Sequence, residues 1–452
     1  MAVWNTIKLS NIKQDRFDAE YFRKDYLDNL NLLKKTGNIF TLGELFGYIS
    51  RGLQPQYSKS KEIKVLRSVN VGFLDFNDTR QEYTTTSFLE KNTRGKVQKN
   101  DILITSTGVG TLGRTSIWNN DDFAFCDGHI TILRNSQINP YLIALFLNTS
   151  YGLQQFDQNY RGSSGQIEIY PFDISKIIIP EILFVYQDKI GNMVQESFEL
   201  KKQSQTLYKK AEELLEKELG LDRLEFKKPR SYTAKLSEVY SHNRCDADFY
   251  QTKFRQIEEH INTLETLPLR KIAMIQKGFE VGTNAYVDSG KLFIRVSNLT
   301  KNGFNQGGSD KYISNVTYAK HIVHKPNIGD VLLTKDGTVG VCYVVDSQVE
   351  GIVSSGIVKL LPIDETIPKE YLSLVINSKL CQMQIQRDCS GALIVHWKPE
   401  DIKNLKIPIL SDETMNSLAN MVTQSKQALK QSKQLLEDAK AKVEALIEEA
   451  SR

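Results

Sequence analysis

The chain has 452 residues and a mass of 51.5 kDa, enough for two or three domains of roughly 150 residues each. Its 25% charged, 40% apolar and 9% aromatic residues are typical of a globular protein and exclude a disordered or fibrous chain. The net charge of +4 is too small to indicate a nucleic-acid binder by itself, so any basic surface must be local.

The N-terminal segment has no apolar core of the kind found in signal peptides. The longest apolar runs, such as residues 177–185, are interrupted and too short to span a membrane. The five cysteines form no CxxC pair and are odd in number, which favours reduced thiols over a disulfide framework. We therefore expect a cytoplasmic protein with no membrane association.

The sequence repeats itself at a displacement of 226 to 230 residues. In chain order, the repeated features are the segments beginning Lys8-Leu9-Ser10 and Lys235-Leu236-Ser237, Arg16 and Arg244, Asp101 and Asp330, Tyr141 and Tyr371, Ser164 and Ser390, and Ile179-Pro180 and Ile407-Pro408. A solenoid has units of roughly 20–50 residues, so this period does not fit one. It predicts the duplication of a whole domain together with its connector.

Each copy begins with a globular region, at about residues 40–180 and 266–408. Short apolar runs broken by Gly, Asn, Asp and Ser predict strands, for example at 63–67, 101–105 and 341–345. Longer patterned stretches near 141–153 and 371–385 predict helices. These elements predict an α+β fold.

A long helix follows each globule. The seam residues of the second helix, at alternating steps of four and three, are Leu418, Val422, Ser425, Leu429, Ser432, Leu436, Ala439, Val443, Leu446 and Ala450. Those of the first are Ile190, Val194, Ser197, Lys201, Ser204, Tyr208, Ala211 and Leu215, with an expected end at Gly220. We expect the two helices to pack on each other as an antiparallel coiled coil; the alternative is that each packs only on its own globule.

The predicted organisation has four parts. Residues 1–182 form an N-terminal segment and the first globule, 183–232 the first long helix and a linker, 233–410 the second globule, and 411–452 the second long helix. Residues 183–228 hold nine basic and nine acidic residues, and 411–452 hold six and seven. The positive excess therefore lies in the globules and not on the helices.

Catalytic motifs are weak in this sequence. Residues 108–115 contain a GxGxxG pattern, but a strand-like segment follows instead of the helix that a nucleotide site needs. His321 and His324 have no third ligand nearby, and the pairs Cys126 with His129 and Cys389 with His396 do not recur in the other copy. No Pro-Pro pair exists for the loop with which amino-methyltransferases hold a flipped base. We expect no catalytic site and no metal site.

Gly-rich turns instead carry side chains of the kinds that read base edges or bind phosphates. The candidates in the first copy are Arg51, Gln54, Gln56, Tyr57, Arg67, Ser68, Asn70, Ser106, Thr107, Arg114, Arg161, Ser163, Ser164 and Gln166. Those in the second are Lys277, Thr283, Asn284, Arg295, Ser297, Asn298, Lys335, Asp336, Thr338, Arg387 and Ser390. Framework residues repeat between the copies while these loop residues differ, which indicates two different targets.

On these features the chain resembles the DNA-specificity (S) subunit of type I restriction–modification enzymes over nearly its whole length. The resemblance rests on the duplication and on the Arg-x-Asp-Ala-acidic-aromatic segments at Arg16 and Arg244. It also rests on the Asp-Ile-Leu-Ile-Thr block at Asp101 with its Gly-x-Gly turn, on the Ser-Gly turns, and on the Ile-Pro boundary before each long helix.

The resemblance implies non-catalytic recognition of double-stranded DNA at an asymmetric bipartite site, with one target-recognition domain for each half. It implies two methyltransferase (modification) subunits as partners, and restriction subunits with them. S-adenosylmethionine, ATP and Mg would belong to those partners, and this chain would bind no cofactor. The alternatives are a coiled-coil protein-interaction adaptor, an orphan specificity subunit that serves methylation only, and a nucleotide-using enzyme built on residues 108–115.

Overall fold

The computed structural model describes residues 6–8, 12, 16–162, 165–226, 229–305, 307, 310–389 and 395–452. The chain divides into two compact units: unit 1 is Met1–Lys201 with Lys430–Arg452, and unit 2 is Lys202–Leu429. Each unit therefore combines one globule with a part of each long helix. The four-part division expected from the sequence remains a prediction, since it follows the order of the chain and these units do not.

Unit 1 is built from short strands and helices on either side of a central sheet. Its strands are β1 (Ile39–Thr41), β2 (Phe46–Arg51), β3 (Ile63–Leu66), β4 (Glu82–Thr84), β5 (Lys96–Val97), β6 (Ile102–Thr105), β7 (Thr115–Ile117), β8 (Ala124–Cys126), β9 (Ile130–Ser136) and β10 (Ile178–Pro180). Its helices are α1 (Lys24–Lys35), α2 (Leu42–Leu45), α3 (Thr86–Lys91), α4 (Pro140–Leu147), α5 (Ser150–Asn159), α6 (Pro171–Ser175) and the first part of α7 (Gln187–Glu218).

The central sheet of unit 1 has the strand order β2-β9-β6-β7 and is antiparallel. Strand β6 is buried along its whole length because both faces of the sheet are covered. Ile102 and Ile104 face the helical layer, while Leu103 faces a second sheet of order β4-β3-β8-β5. This alternation follows from the two-residue period of a strand. The unit thus has three layers: helices, central sheet and second sheet.

Unit 2 repeats this plan. Its strands are β11 (Thr266–Pro268), β12 (Ala273–Lys277), β13 (Tyr286–Val287), β14 (Lys291–Ile294), β15 (Leu299–Thr300), β16 (Gly303–Phe304), β17 (Lys311–Ile313), β18 (Val331–Thr334), β19 (Cys342–Val344), β20 (Gly351–Val353), β21 (Ile357–Pro362) and β22 (Lys406–Pro408). Its helices are α8 (Leu236–His242), α9 (Thr252–Ile261), α10 (Leu269–Ile272), α11 (Asn315–Lys320), α12 (Lys369–Asn377), α13 (Lys379–Asp388), α14 (Pro399–Asn404) and the first part of α15 (Asp412–Ala450).

The central sheets of the two units correspond strand by strand, whereas the second sheets share three strands and differ in the fourth, β5 in unit 1 and β13 in unit 2. The order β12-β21-β18-β19 matches the central sheet of unit 1, and the second sheet contains the parallel pair β14–β20 where unit 1 has β3–β8. Each globule is closed by a two-stranded antiparallel pair, β1 with β10 and β11 with β22. The predicted α+β architecture with two globules of duplicated plan is confirmed.

The two long helices pack against each other within both units, in antiparallel directions. In unit 1, Ser197 and Ser432 lie in the seam with their hydroxyl oxygens 3.0 Å apart. In unit 2, the hydroxyl of Ser425 donates to the carbonyl oxygen of Ser204 at 2.8 Å. Small residues at these positions let the helix backbones approach closely. The predicted coiled coil is confirmed, and its seam residues join the core of each globule: Ile190 and Val443 in unit 1, Leu215 and Leu418 in unit 2.

The stretches expected as single helices near 141–153 and 371–385 are each two consecutive helices. In unit 1 the break falls at Asn148 and Thr149. The Asn148 side chain turns back to the carbonyl oxygens of Ala144 and Thr115, and Thr149 caps the next helix. In unit 2, Ser378 has an extended backbone that ends α12 and begins α13. Polar residues that offer the backbone other hydrogen bonds favour such breaks.

Among the described helices, none combines the length and the apolar character that a bilayer span requires.

Candidate nucleic-acid interface

The repeated arginine of the Arg-x-Asp-Ala segment fastens the end of a helix in each unit. In unit 1 the guanidinium of Arg16 donates to the carbonyl oxygens of Gln158, Asn159 and Tyr160 at 3.1–3.2 Å. In unit 2 the guanidinium of Arg244 donates to the carbonyl oxygens of residues 388 and 389. The last carbonyls of a helix lack intrahelical partners and carry partial negative charge, so a cation there stabilises them. The segment is therefore a clamp on the end of the helix that precedes the Ser-Gly turn.

We predict that Arg16→Ala destabilises unit 1 by about 2–4 kcal/mol, since a buried guanidinium and three charge-assisted hydrogen bonds are lost together. The control is Arg23→Ala, which removes an exposed arginine paired with Glu20 and Asp25 and should cost less than about 1 kcal/mol. Chemical denaturation monitored by hydrogen exchange in α5 measures both. Equal protection of α5 in the two variants would contradict the assigned role.

Glycines place the loops that follow β2 and β12 against the neighbouring backbone. A Cβ on Gly52 would lie 2.4 Å from the carbonyl oxygen of Asp127, and one on Gly278 would lie 2.1 Å from that of Ser354. Real Cβ atoms do not approach so closely, so both positions require glycine. Arg51 and Lys277 directly precede these glycines and occupy equivalent positions in the two units.

In unit 1, Arg51 belongs to a charged cluster with residues 168–170. Its guanidinium pairs with the carboxylate of Glu168, donates to the carbonyl oxygen of Ile169 at 2.8 Å and lies over the ring of Tyr170. Burial alone would raise the pKa of Glu168, but hydrogen bonds from Arg51 and Tyr170 lower it below its ordinary value. The carboxylate is therefore ionised at neutral pH.

The same cluster extends to the Gly-rich turn after β6. Thr107 forms an isolated antiparallel bridge with Glu168, and its hydroxyl lies 2.9 Å from Nδ1 of His129. Burial raises the pKa of the neighbouring Asp127 carboxyl. Arg161 also bridges to Glu168 through its backbone and pairs with Asp173 at 3.0 Å. The structure thus brings together three of the predicted residues: Arg51, Thr107 and Arg161.

In unit 2, the corresponding cluster is Lys335, Asp336 and His396. The ammonium of Lys335 and Nδ1 of His396 both contact the Asp336 carboxylate, at 2.5 Å and 2.7 Å. Asp336 and His396 form the antiparallel bridge that corresponds to Thr107 and Glu168 in unit 1. Two of the predicted residues, Lys335 and Asp336, therefore lie in an equivalent place.

Three predicted residues, Asn70, Asn298 and Ser106, have buried side chains. Asn70 and Asn298 each accept from the backbone N–H of the arginine three residues earlier and donate to carbonyl or carboxylate oxygens further along the loop. Ser106 shares a hydrogen bond with the Thr131 hydroxyl at 2.6 Å. These side chains hold the loops in shape, because a buried polar group needs a partner.

Three predicted arginines form ion pairs or hydrogen bonds within their own units. Arg387 is half-buried and pairs with Asp388 and Glu258, beside the Arg244 clamp. Arg67 donates to the carbonyl oxygen of Arg80, and Arg114 donates to that of Gly110 at 2.7 Å. Arg387 therefore supports the clamp of unit 2 and is not part of the Lys335 cluster.

The remaining predicted residues lie on loops, in short 3-10 helices or, for Lys277, at the end of β12. The exposed or half-buried ones are Gln54, Gln56, Tyr57, Ser68, Gln166, Lys277, Asn284, Arg295, Ser297 and Thr338. Thr283 begins a short helix, Thr283–Ala285, and its side chain is outside the described part. Ser163, Ser164 and Ser390 also lie outside the described residues.

The sequence did not single out Glu168, Tyr170 and His396 as site residues. The spacing of the sequence repeat could have identified two of them. Glu168 and His396 are 228 residues apart and occupy one position of the duplicated scaffold. The two copies therefore differ in charge at one repeated position.

Nucleotide and metal sites find no support in the described residues. The turn at 108–113 has positive φ at Gly108, Gly110 and Gly113 and leads into strand β7, whereas a phosphate-binding turn of this pattern leads into a helix. No group of three or more His, Cys, Asp or Glu side chains among these residues could hold a metal ion.

No protein-family model matches the chain, and no curated protein matches it. Three similar solved structures are type I restriction–modification proteins. The S subunit from M. genitalium is 12% identical with a TM-score of 0.44 and matches over 91% of this chain and 95% of its own. A chain from a study of assembly and conformational transition in the type I R-M system is 14% identical with a TM-score of 0.30, over 92% and 97%. The HsdS subunit from Thermoanaerobacter tengcongensis is 13% identical with a TM-score of 0.28, over 92% and 96%.

Proposed function

We propose that this chain is a non-catalytic DNA-specificity subunit of a type I restriction–modification complex. Each unit recognises one half of an asymmetric bipartite sequence in double-stranded DNA. The observation that supports this best is the pair of equivalent clusters, in which one scaffold carries Arg51 and Glu168 in unit 1 and Asp336 and His396 in unit 2. A duplicated scaffold with different donors and acceptors fits two half-sites of different sequence.

The clusters contain the kinds of groups that bind DNA. Arginine and lysine donate to phosphates and to guanine, and carboxylates accept from cytosine. Exposed glutamines stand beside the cluster of unit 1, at Gln54 and Gln56. The long helices carry nearly balanced charge, so electrostatic attraction to DNA would act on the globules.

In this proposal the chemistry belongs to other subunits. Two methyltransferase (modification) subunits would dock on the specificity subunit and bring S-adenosylmethionine, and restriction subunits would add ATP- and Mg-dependent cleavage. The chain itself would bind DNA in the cytoplasm without a cofactor.

Arg51→Ala is expected to weaken binding of the full chain to duplex DNA by about 1–3 kcal/mol, because the removed guanidinium donates either to a base or to a phosphate. Fluorescence anisotropy over a salt titration measures the change, and loss of a phosphate contact would also lower the salt slope by about one. Lys34→Ala is the control, since it removes an exposed positive charge of α1. Unchanged affinity at every salt concentration would remove Arg51 from the interface. A chain that binds no duplex DNA but retains a protein partner would be an adaptor instead.

A further inference from the structure

The isolated bridges Thr107–Glu168 and Asp336–His396 occupy one position of the duplicated scaffold, and both are antiparallel. Each bridge joins the Gly-rich turn after a central strand, β6 or β18, to the segment before a short helix, α6 or α14. Each holds one carboxylate, but on opposite members of the pair: at residue 168 in unit 1 and at residue 336 in unit 2. The scaffold is the same and the placement of the acid is reversed.

In both units the carboxylate holds a cation and is open to solvent. Glu168 is 33% exposed and binds Arg51, which is 22% exposed. Asp336 is 22% exposed and binds Lys335, which is 16% exposed, while His396 beside them is 59% exposed. An ionised carboxylate has about four lone-pair positions, and a guanidinium has five N–H donors. The contacts within each cluster therefore leave donors and acceptors for a ligand.

An acceptor beside a cationic donor complements a G·C base pair. In the major groove, guanine offers the O6 and N7 acceptors and cytosine offers an amino donor. Arginine and lysine donate to guanine, and glutamate and aspartate accept from cytosine. Adenine offers one acceptor, N7, whereas guanine offers two, so a cation that donates to both guanine acceptors while the carboxylate accepts from the cytosine amino group selects G·C.

We propose that Glu168 with Arg51, and Asp336 with Lys335, are specificity determinants that each read one G·C base pair, one in each half of the recognised sequence. This inference rests on the proposed function, since it assumes that the units bind DNA.

The test compares the full chain with Glu168→Gln and Asp336→Asn, which keep the shape of each side chain and remove its charge. The probe is a library of duplex DNA with randomised sequence, selected at fixed salt and sequenced. Glu168→Gln should reduce the preference for G·C at one position in one half by about ten-fold. Asp336→Asn should do so at one position in the other half only. Glu90→Gln and Glu365→Gln, which alter exposed carboxylates outside the clusters, should leave the selected sequence unchanged.

Arg51→Lys is a second test of unit 1, because it keeps the positive charge and loses the bidentate geometry. It should reduce the same G·C preference while total DNA binding persists. If Glu168→Gln and Asp336→Asn weaken all sequences equally, or leave the selected sequence unchanged, the pairs are only structural and the inference is overturned. If the wild-type chain selects no sequence at all, the proposed function is overturned as well. Failure of the inference alone and failure of the proposed function therefore give different results.

Discussion

Replacing residues 266–408 with the corresponding segment of another specificity subunit is expected to change one half of the recognised DNA sequence and to leave the other half unchanged. The junctions suit such an exchange, because Thr266 and Pro408 are paired partners in the β11–β22 pair that closes the globule. A graft at these positions keeps both chain ends side by side. The long helices and unit 1 stay intact in sequence.

Mapping of methylated sites in host DNA measures this exchange. Methylation of the original sequence should be lost, since each mismatched base pair costs about 1–3 kcal/mol. The matched control is an exchange of residues 39–180, whose ends Ile39 and Pro180 are paired in the same way, and it should change only the other half. A change in both halves after either exchange would show that the units do not read DNA independently.

The second large effect is expected at the seam of the coiled coil. Ser197 is fully buried and faces Ser432, so Ser197→Asp places a carboxyl in the buried seam beside the Ser432 hydroxyl. We expect the free energy of unfolding to fall by about 3 kcal/mol or more at neutral pH, because a buried charge without an ionic partner is strongly destabilising. The control on the same helix is Gln203→Asp, an exposed position, which should cost less than about 1 kcal/mol.

The pH dependence of Ser197→Asp has a definite sign. Burial would raise the pKa of the new carboxyl above its value in the unfolded chain, so the folded state binds the proton more tightly. The difference in unfolding free energy between the variant and the wild type should therefore shrink as the pH falls towards that raised pKa and grow as the pH rises. Thermal unfolding at pH 5 and pH 8 measures this, and an equal deficit at both values would show that the site is open to water.

The elements that the sequence predicted well are periodic or repeated. Helix α15 begins behind Ser411, whose hydroxyl accepts from the backbone of Thr414, as the polar residues at its start indicate. Helix α7 ends at Glu218, and Gly220 follows with φ of +65°. These features depend on local spacing and local backbone conformation, which a sequence states directly.

The surroundings of the loop side chains could not be read from the sequence. Asn70 and Arg387 have the residue types of DNA-contacting groups, yet one holds a turn together and the other supports a clamp. Their residue types do not distinguish a free polar group from one whose hydrogen bonds are already used. That distinction requires burial and partners, which only the folded chain supplies.

The sequence by itself determined the duplication, the α+β class and the two seam-bearing helices, because each is a pattern of displacement or period along the chain. The tertiary structure decided which polar residues meet. Arg51 joins Glu168 across 117 residues, and Asp336 joins His396 across 60. Contacts of such separation arise from the packing of sheets and turns, so no local pattern records them. The reversed position of the acid is already present in the sequence, at Glu168 and Asp336, but only the fold shows that both residues belong to one duplicated bridge.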